Sequence, residues 1–172
     1  MPAVRNARHF VPLDAIPRID GGTSVPELFG ELARRNAGGF ILVDRRRRPA
    51  YYVKIVEFAN AIRSRRSNGA GVRVVADVVT AAAAAGALVP ISADPVDADA
   101  DVGSLWQPSE IVFPVHDQGG LSGWFMNHDE LRATISAAAV LFVCARGHRN
   151  AQPGTRGCTF CPGEFTDVAE QR

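Results

Sequence analysis

The sequence predicts an α+β fold made of two copies of one strand–strand–helix unit, followed by a small cysteine-bearing tail. Three observations lead there. Two stretches lying 73 residues apart share one apolar pattern without a gap. Each stretch splits two short apolar runs with an Asp-led turn and then changes to helical spacing. The only three cysteines, Cys144, Cys158 and Cys161, lie beyond both copies, with His148 among them.

The first copy, FILVDRRRRPAYYVKIVEFANAI, runs from Phe40 to Ile62, and the second, FPVHDQGGLSGWFMNHDELRATI, from Phe113 to Ile135. Self-similarity at a fixed offset marks a repeated structural unit. Asp44 falls on Asp117, Val53 on Met126, Glu57 on Glu130, Phe58 on Leu131 and Ile62 on Ile135. Upstream of the first copy, Thr23 or Ser24 caps a helix ahead of Glu27. The second copy echoes this with DPVDADADVGSLWQPSE. Ser104 stands only 13 positions before Asp117, against 20 from Ser24 to Asp44. That difference removes about two helical turns at roughly 3.6 residues each.

The first strands are Phe40–Val43 and Ile111–Val115, short apolar runs suited to burial. Asp44 and Asp117 open the turns, because an Asp side chain bonds its own backbone two residues on. The second strands are Tyr51–Val53 and Trp124–Met126. Helices start near Ile55 and near His128, with Phe58, Ala61 and Ile62 on one face and Leu131, Thr134 and Ile135 on the other copy's matching face. Between the copies, Ser67–Gly71 stops the helix. The run Ala81–Ala85 forms another, ended by Gly86 and Pro90. Asp94 to Asp101 reads as a solvated acidic loop, and Ser136 to Phe142 as an apolar helix leading to the tail.

The order of extended segment, helix, strand, Asp turn, strand and helix resembles the cystathionine-β-synthase (CBS) domain, normally a tandem pair. The family's run of LPVVD, a Gly, then GIVT, two residues, DL, two residues and AI is similar to ILVDRRRRPAYYVKIVEFANAI and PVHDQGGLSGWFMNHDELRATI, over roughly residues 8 to 137. The resemblance implies a tandem CBS-like module over residues 1–140, with repeat one at about 8–66 and repeat two at about 88–137. It further implies an adenosine-containing ligand between the copies, and a homodimer. In the family, a Thr and an Asp three and six positions after a Gly hold phosphate and ribose. Here the Gly positions hold Tyr51 and Trp124, the Thr positions Lys54 and Asn127, and the Asp positions Glu57 and Glu130. Lys54, Glu57, Asn127 and Glu130 are therefore the candidate ligand-binding residues. A cation suits a phosphate, and a carboxylate accepts two hydrogen bonds from a diol. The same residues also fit a plainer description, with Lys54 and Glu57 as an i,i+3 surface pair and Tyr51 and Trp124 as core.

The tail, residues 141–172, reads Cys144-x3-His148-x9-Cys158-x2-Cys161. Two pairs of soft or borderline ligands across a short loop suit tetrahedral zinc. The pattern resembles the single zinc ribbon at the end of many small bacterial proteins. Four protein ligands close the site, so the expected Zn2+ is structural, and its binding folds the tail. A redox Cys-x-x-Cys would start a helix, whereas Cys161 runs into Pro162-Gly163.

Composition narrows the function classes. A net charge of +1 gives no global field for nucleic acid or membrane. No apolar run reaches the roughly 20 residues that span a bilayer, and the N-terminus lacks a secretory h-region. Three crowded cysteines make no disulfide framework. Together these point to a cytoplasmic protein. Arg45–Arg48 sit on a hairpin tip, either solvated or in contact with phosphates or an acidic partner, Arg63, Arg65 and Arg66 at a helix C-terminus that favours cations, and Arg146, Arg149 and Arg156 around the ribbon. His9, His116 and His128 have no partner at ligand spacing. The sequence shows no nucleophile–base pair, Gly-rich phosphate loop or open metal site, so no enzyme is expected. The expectation is a regulatory module that senses an adenine-type nucleotide through the pair and contacts a protein partner through the ribbon. The alternatives are a non-sensing dimeric adaptor and a nucleic-acid-binding protein that uses the basic ribbon.

Overall fold

The computed structural model describes residues 1–136, and beyond them the backbone of three strands. In chain order the elements are β1 (Phe10–Pro12), β2 (Arg18–Asp20), α1 (Val25–Arg35), β3 (Gly39–Val43), β4 (Pro49–Lys54), α2 (Ile55–Ser67), α3 (Val79–Ala84), β5 (Leu88–Pro90), β6 (Val96–Asp97), β7 (Val112–Asp117), β8 (Gly120–Met126) and α4 (Asp129–Ser136). The tail strands are β9 (Leu141–Cys144), β10 (Arg149–Ala151) and β11 (Phe165–Ala169). The α+β class and both strand–turn–strand–helix units stand as the sequence predicts.

Two four-stranded sheets carry the repeats, in the orders β2-β3-β4-β5 and β1-β8-β7-β6. The strand that opens each repeat in sequence is exchanged. β1 pairs antiparallel with β8 of the second unit, and β5 pairs antiparallel with β4 of the first. The exchange is symmetric: Val11 lies opposite Trp124, and Val89 opposite Tyr52. A second echo in the sequence accompanies it. Val11-Pro12 and Pro17 recur as Val89-Pro90 and Pro95.

That symmetry also corrects the gapless alignment. Ile41 pairs with Tyr52 and Pro114 with Trp124, so the second hairpin is one residue shorter. Along the second strand the equivalents are therefore Tyr52 and Trp124, and Lys54 and Met126. The backbone agrees, since Lys54 N donates to Ala87 O as Met126 N donates to His9 O. A slip of one residue exchanges the faces of a strand. Tyr52 and Trp124 both enter the core between the sheets, while Tyr51 is exposed.

Three apolar cores result. Leu28, Phe29, Phe40, Phe58 and Ile62 fill the first unit under its helices. Ile41, Tyr52 and Val89 meet Val11, Trp124, Met126 and Leu131 between the sheets. Val4, Val102, Leu105, Phe113 and Phe125 fill the second unit. Ser24 caps α1 by accepting from Glu27 N at 3.2 Å. Where the second repeat has lost this helix, only a 3-10 turn remains (Val102–Leu105), and the N-terminal residue Val4 packs beside it.

The alanine helix α3 spans Val79–Ala84 and ends where Gly86 turns the chain at φ 76°, as expected. Two local expectations change. Asp94–Asp101 is not a free loop. It contains β6, its Ala98 is buried, and Asp99 pairs with Arg5 at 2.8 Å. Leu141 and Phe142 belong to β9, so the apolar helix expected from Ser136 does not run through them. Phe142 and Val143 are of residue types that favour strands. β9 forms the middle of an antiparallel sheet ordered β10-β9-β11.

Candidate functional site

β4 runs straight into α2, and Lys54 is both the last strand residue and the residue before the helix. Alternation along the strand puts Lys54 on the same side as Tyr52, toward the second repeat. Its Nζ lies 3.1 Å from Glu110 Oε2, just ahead of β7. Lys54 thus makes a cross-repeat ion pair, and not the i,i+3 surface pair with Glu57 of the plainer description. Glu57 is half-buried on the first turn of α2.

Tyr52 lies beneath this pair. Its phenol oxygen is 2.7 Å from Thr134 Oγ1 on α4. Thr134 spends its proton on Leu131 O at 2.7 Å, so Tyr52 is the donor to Thr134. Burial raises the phenol pKa well above its ordinary value. The Thr134 bond opposes that rise, Glu57 and Glu110 add to it, and Arg132 lowers it. Gly39 makes room for the ring: a Cβ there would stand 2.3 Å from the phenol oxygen.

The second repeat is different. Asn127 is buried, its Oδ1 accepting from Ile111 N at 2.9 Å and its Nδ2 donating to Ser109 O at 3.0 Å. Its carboxamide bonds the chain leading into β7 through both its oxygen and its nitrogen. Glu130 is exposed on the first turn of α4. With the register corrected, three and six positions after Gly123 come Met126 and Asp129, not Asn127 and Glu130. Gly123 is needed where it stands, since a Cβ would meet Val11 O at 2.4 Å.

Asp129 is the residue that sequence reasoning missed. His9 Nε2 lies 2.5 Å from its Oδ1, and the Arg8 guanidinium contacts the same oxygen. The His9 hydrogen bond first, then Arg8, hold the carboxyl below its ordinary range. His9 is buried, with its ring edge-on to Trp106 at 4.8 Å. His128 Nε2 lies 2.8 Å from Gln107 O. The signal for Asp129 was its spacing from Gly123. The partners of His9 and His128 are far away in sequence, where no spacing rule reaches.

Two grooves flank the β3–β4 hairpin. One, of about 700 Å³, is lined by Asp20, Arg45, Arg47, Tyr51 and Val79 among others, and one of about 470 Å³ by Arg48, Ile91, Ser92, Pro114 and His116 among others. Lys54, Glu57, Asn127 and Glu130 line neither. Of the expected zinc ligands, Cys144 ends β9, and His148, Cys158 and Cys161 lie outside the described residues. No helix among the described residues is long and apolar enough to cross a membrane.

No family model matches the sequence, and no curated protein matches it. Solved structures that the fold resembles are CBS-domain pair proteins. The CBS-pair protein CBSX2 from Arabidopsis thaliana is 18% identical over 77% of this chain and 93% of its own, with a TM-score of 0.44. CBSX2 in complex with AMP is 16% identical over 77% of this chain and 96% of its own, with a TM-score of 0.43. A CBS domain-containing protein from Kribbella flavida is 15% identical over 69% of this chain and 91% of its own, with a TM-score of 0.38.

Proposed function

We propose that this chain is a CBS-like regulatory pair that senses an adenine-type nucleotide at the start of α2, and that its tail is a zinc ribbon that contacts a protein partner. The Lys54–Glu110 ion pair carries the sensing half. It joins the two repeats at 3.1 Å, with Lys54 only 18% and Glu110 33% exposed. A phosphate arriving at Lys54 displaces Glu110 and so changes the contact between repeats, while Glu57, one helical turn on, receives the ribose diol. Glu110 is then a competitor of the ligand, and Glu110→Gln tightens binding as Lys54→Ala abolishes it.

The tail supports structural zinc through its donor set. Three thiols and one imidazole suit the ion. Cys144 closes the central strand of the β10-β9-β11 sheet, His148 follows before β10, and Cys158 and Cys161 fall between β10 and β11 in sequence. Bound Zn2+ would tie these strands together.

Calorimetry with AMP, ADP, ATP and S-adenosylmethionine tests the sensor. A ligand at 100 times its dissociation constant adds about 2.7 kcal/mol to stability. A hit lost in Lys54→Ala and Glu57→Ala supports the sensor, and a hit that survives both overturns it. Metal analysis tests the ribbon: a metal-free protein with a folded tail overturns the zinc site. A second reading, a non-sensing dimeric adaptor, is favoured by Asn127, whose buried amide bonds the backbone through both its oxygen and its nitrogen. The absence of any nucleotide hit selects it.

A further inference from the structure

The 700 Å³ groove at the hairpin end of the first sheet is distinct from the start of α2. Tyr51 begins the relevant stretch of β4 and Lys54 ends it, about 10 Å apart along the strand at ~3.3 Å per residue. The groove has an apolar floor of Leu42, Val43, Ala50 and Val79. Tyr51, 39% exposed, stands on its wall. Two guanidiniums, of Arg45 and Arg47, rim it.

The charges decide what such a groove attracts. Asp44 is turned inward: its Oδ1 accepts from Arg46 N and Arg48 N, at 2.8 and 2.9 Å, and its Oδ2 from Arg48 Nε at 3.1 Å. Those hydrogen bonds hold its carboxyl below the ordinary range. Asp20 is likewise bonded to its own turn, its Oδ1 accepting from Gly22 N at 2.8 Å. Arg48 neutralises Asp44, which leaves Arg45 and Arg47 against Asp20 alone. Neither guanidinium has a side-chain partner among the described residues. Arg47 is also held at φ 60°, a left-handed conformation in which glycine is the usual residue.

We propose that this groove binds a small ligand that carries a phosphate on an aromatic ring, with the phosphate between Arg45 and Arg47 and the ring laid on Tyr51. Guanidiniums give paired, charge-assisted hydrogen bonds to phosphate oxygens. A flat ring covers the apolar floor and stacks on the phenol. The volume falls within the range of roughly 300–1,000 Å³ usual for small-molecule sites. The site is independent of Lys54, and so of the nucleotide proposal.

Phenyl phosphate is the simplest probe, titrated into the ¹⁵N-labelled full chain by NMR. Saturable shifts are expected at the amides of Gly21, Gly22, Ala50 and Tyr51. The Arg45→Ala/Arg47→Gly double variant weakens binding by about tenfold or more, as loss of charge-assisted bonds requires. Tyr51→Ala weakens it several-fold, inorganic phosphate binds more weakly than phenyl phosphate, and Lys54→Ala changes nothing. Absence of saturable binding overturns the site. So does wild-type affinity in the double variant, or a shift pattern centred on Lys54 and Glu57.

Discussion

The phenol oxygen of Tyr52, on β4 of the first repeat, lies 2.7 Å from the hydroxyl of Thr134, on α4 of the second. The bond is part-buried, and the Tyr52 side chain itself lies buried in the apolar core between the two sheets. Tyr52→Phe removes the donor and leaves Thr134 still bonded to Leu131 O. The expected cost is about 1 kcal/mol, the usual net value of one hydrogen bond. Tyr52→Ala also opens a cavity and costs about 3–5 kcal/mol. Urea denaturation of both variants measures these, and equal losses would place the value of Tyr52 in its hydroxyl and not in its ring.

Gly39 and Tyr52 are coupled by space. A methyl group at Gly39 would stand 2.3–2.5 Å from three atoms of the phenol. Gly39→Ala is therefore expected to cost about 1–3 kcal/mol by overpacking. In a Tyr52→Val background the clash disappears, and the same substitution becomes close to neutral. A double-mutant cycle on equilibrium stability measures the difference. Simple additivity would mean that the ring does not occupy the space over Gly39.

Arg47 makes the opposite prediction. At φ 60° its side chain costs backbone energy, and Arg47→Gly relieves about 1 kcal/mol of left-handed strain, less the added freedom of the unfolded chain. Thermal unfolding at neutral pH should show a stability equal to or above that of the parent. A clear loss would mean that Arg47 makes a stabilising contact in the folded state.

The Asp129 carboxyl is held below its ordinary value by His9 and Arg8. A depressed carboxylate contributes stability that is present above its unfolded pKa, 3.8, and is lost as pH falls through the lower folded value. Asp129→Asn should therefore remove part of the acid limb of the stability–pH curve below about pH 4. Denaturant midpoints from pH 2 to pH 7 test this. An unchanged acid limb would show that other carboxylates set it.

Much of the chain was legible because its signals are local. The apolar run at Phe40–Val43, the Asp44 and Asp117 turns, the cap at Ser24 and the buried face of Phe58 and Ile62 all depend on residues a few positions apart. Periodicity and turn chemistry report those interactions directly.

The sequence by itself determined the α+β class, the twofold repetition and the approximate place of both hairpins and of helices α1 to α4. Only the tertiary structure decided the strand exchange, the slipped register and the partners of Lys54, His9 and Asp129. β1 and β5 are three residues each, too short for their own pattern to specify which sheet receives them. Pairing across more than a hundred residues is fixed by which edge is open and which apolar face must be covered. One residue fewer in the second hairpin then reverses the faces of everything after it. That reversal put Trp124 with Tyr52 in the core and moved the place of Glu130 to Asp129, a difference the gapless alignment had no means of registering.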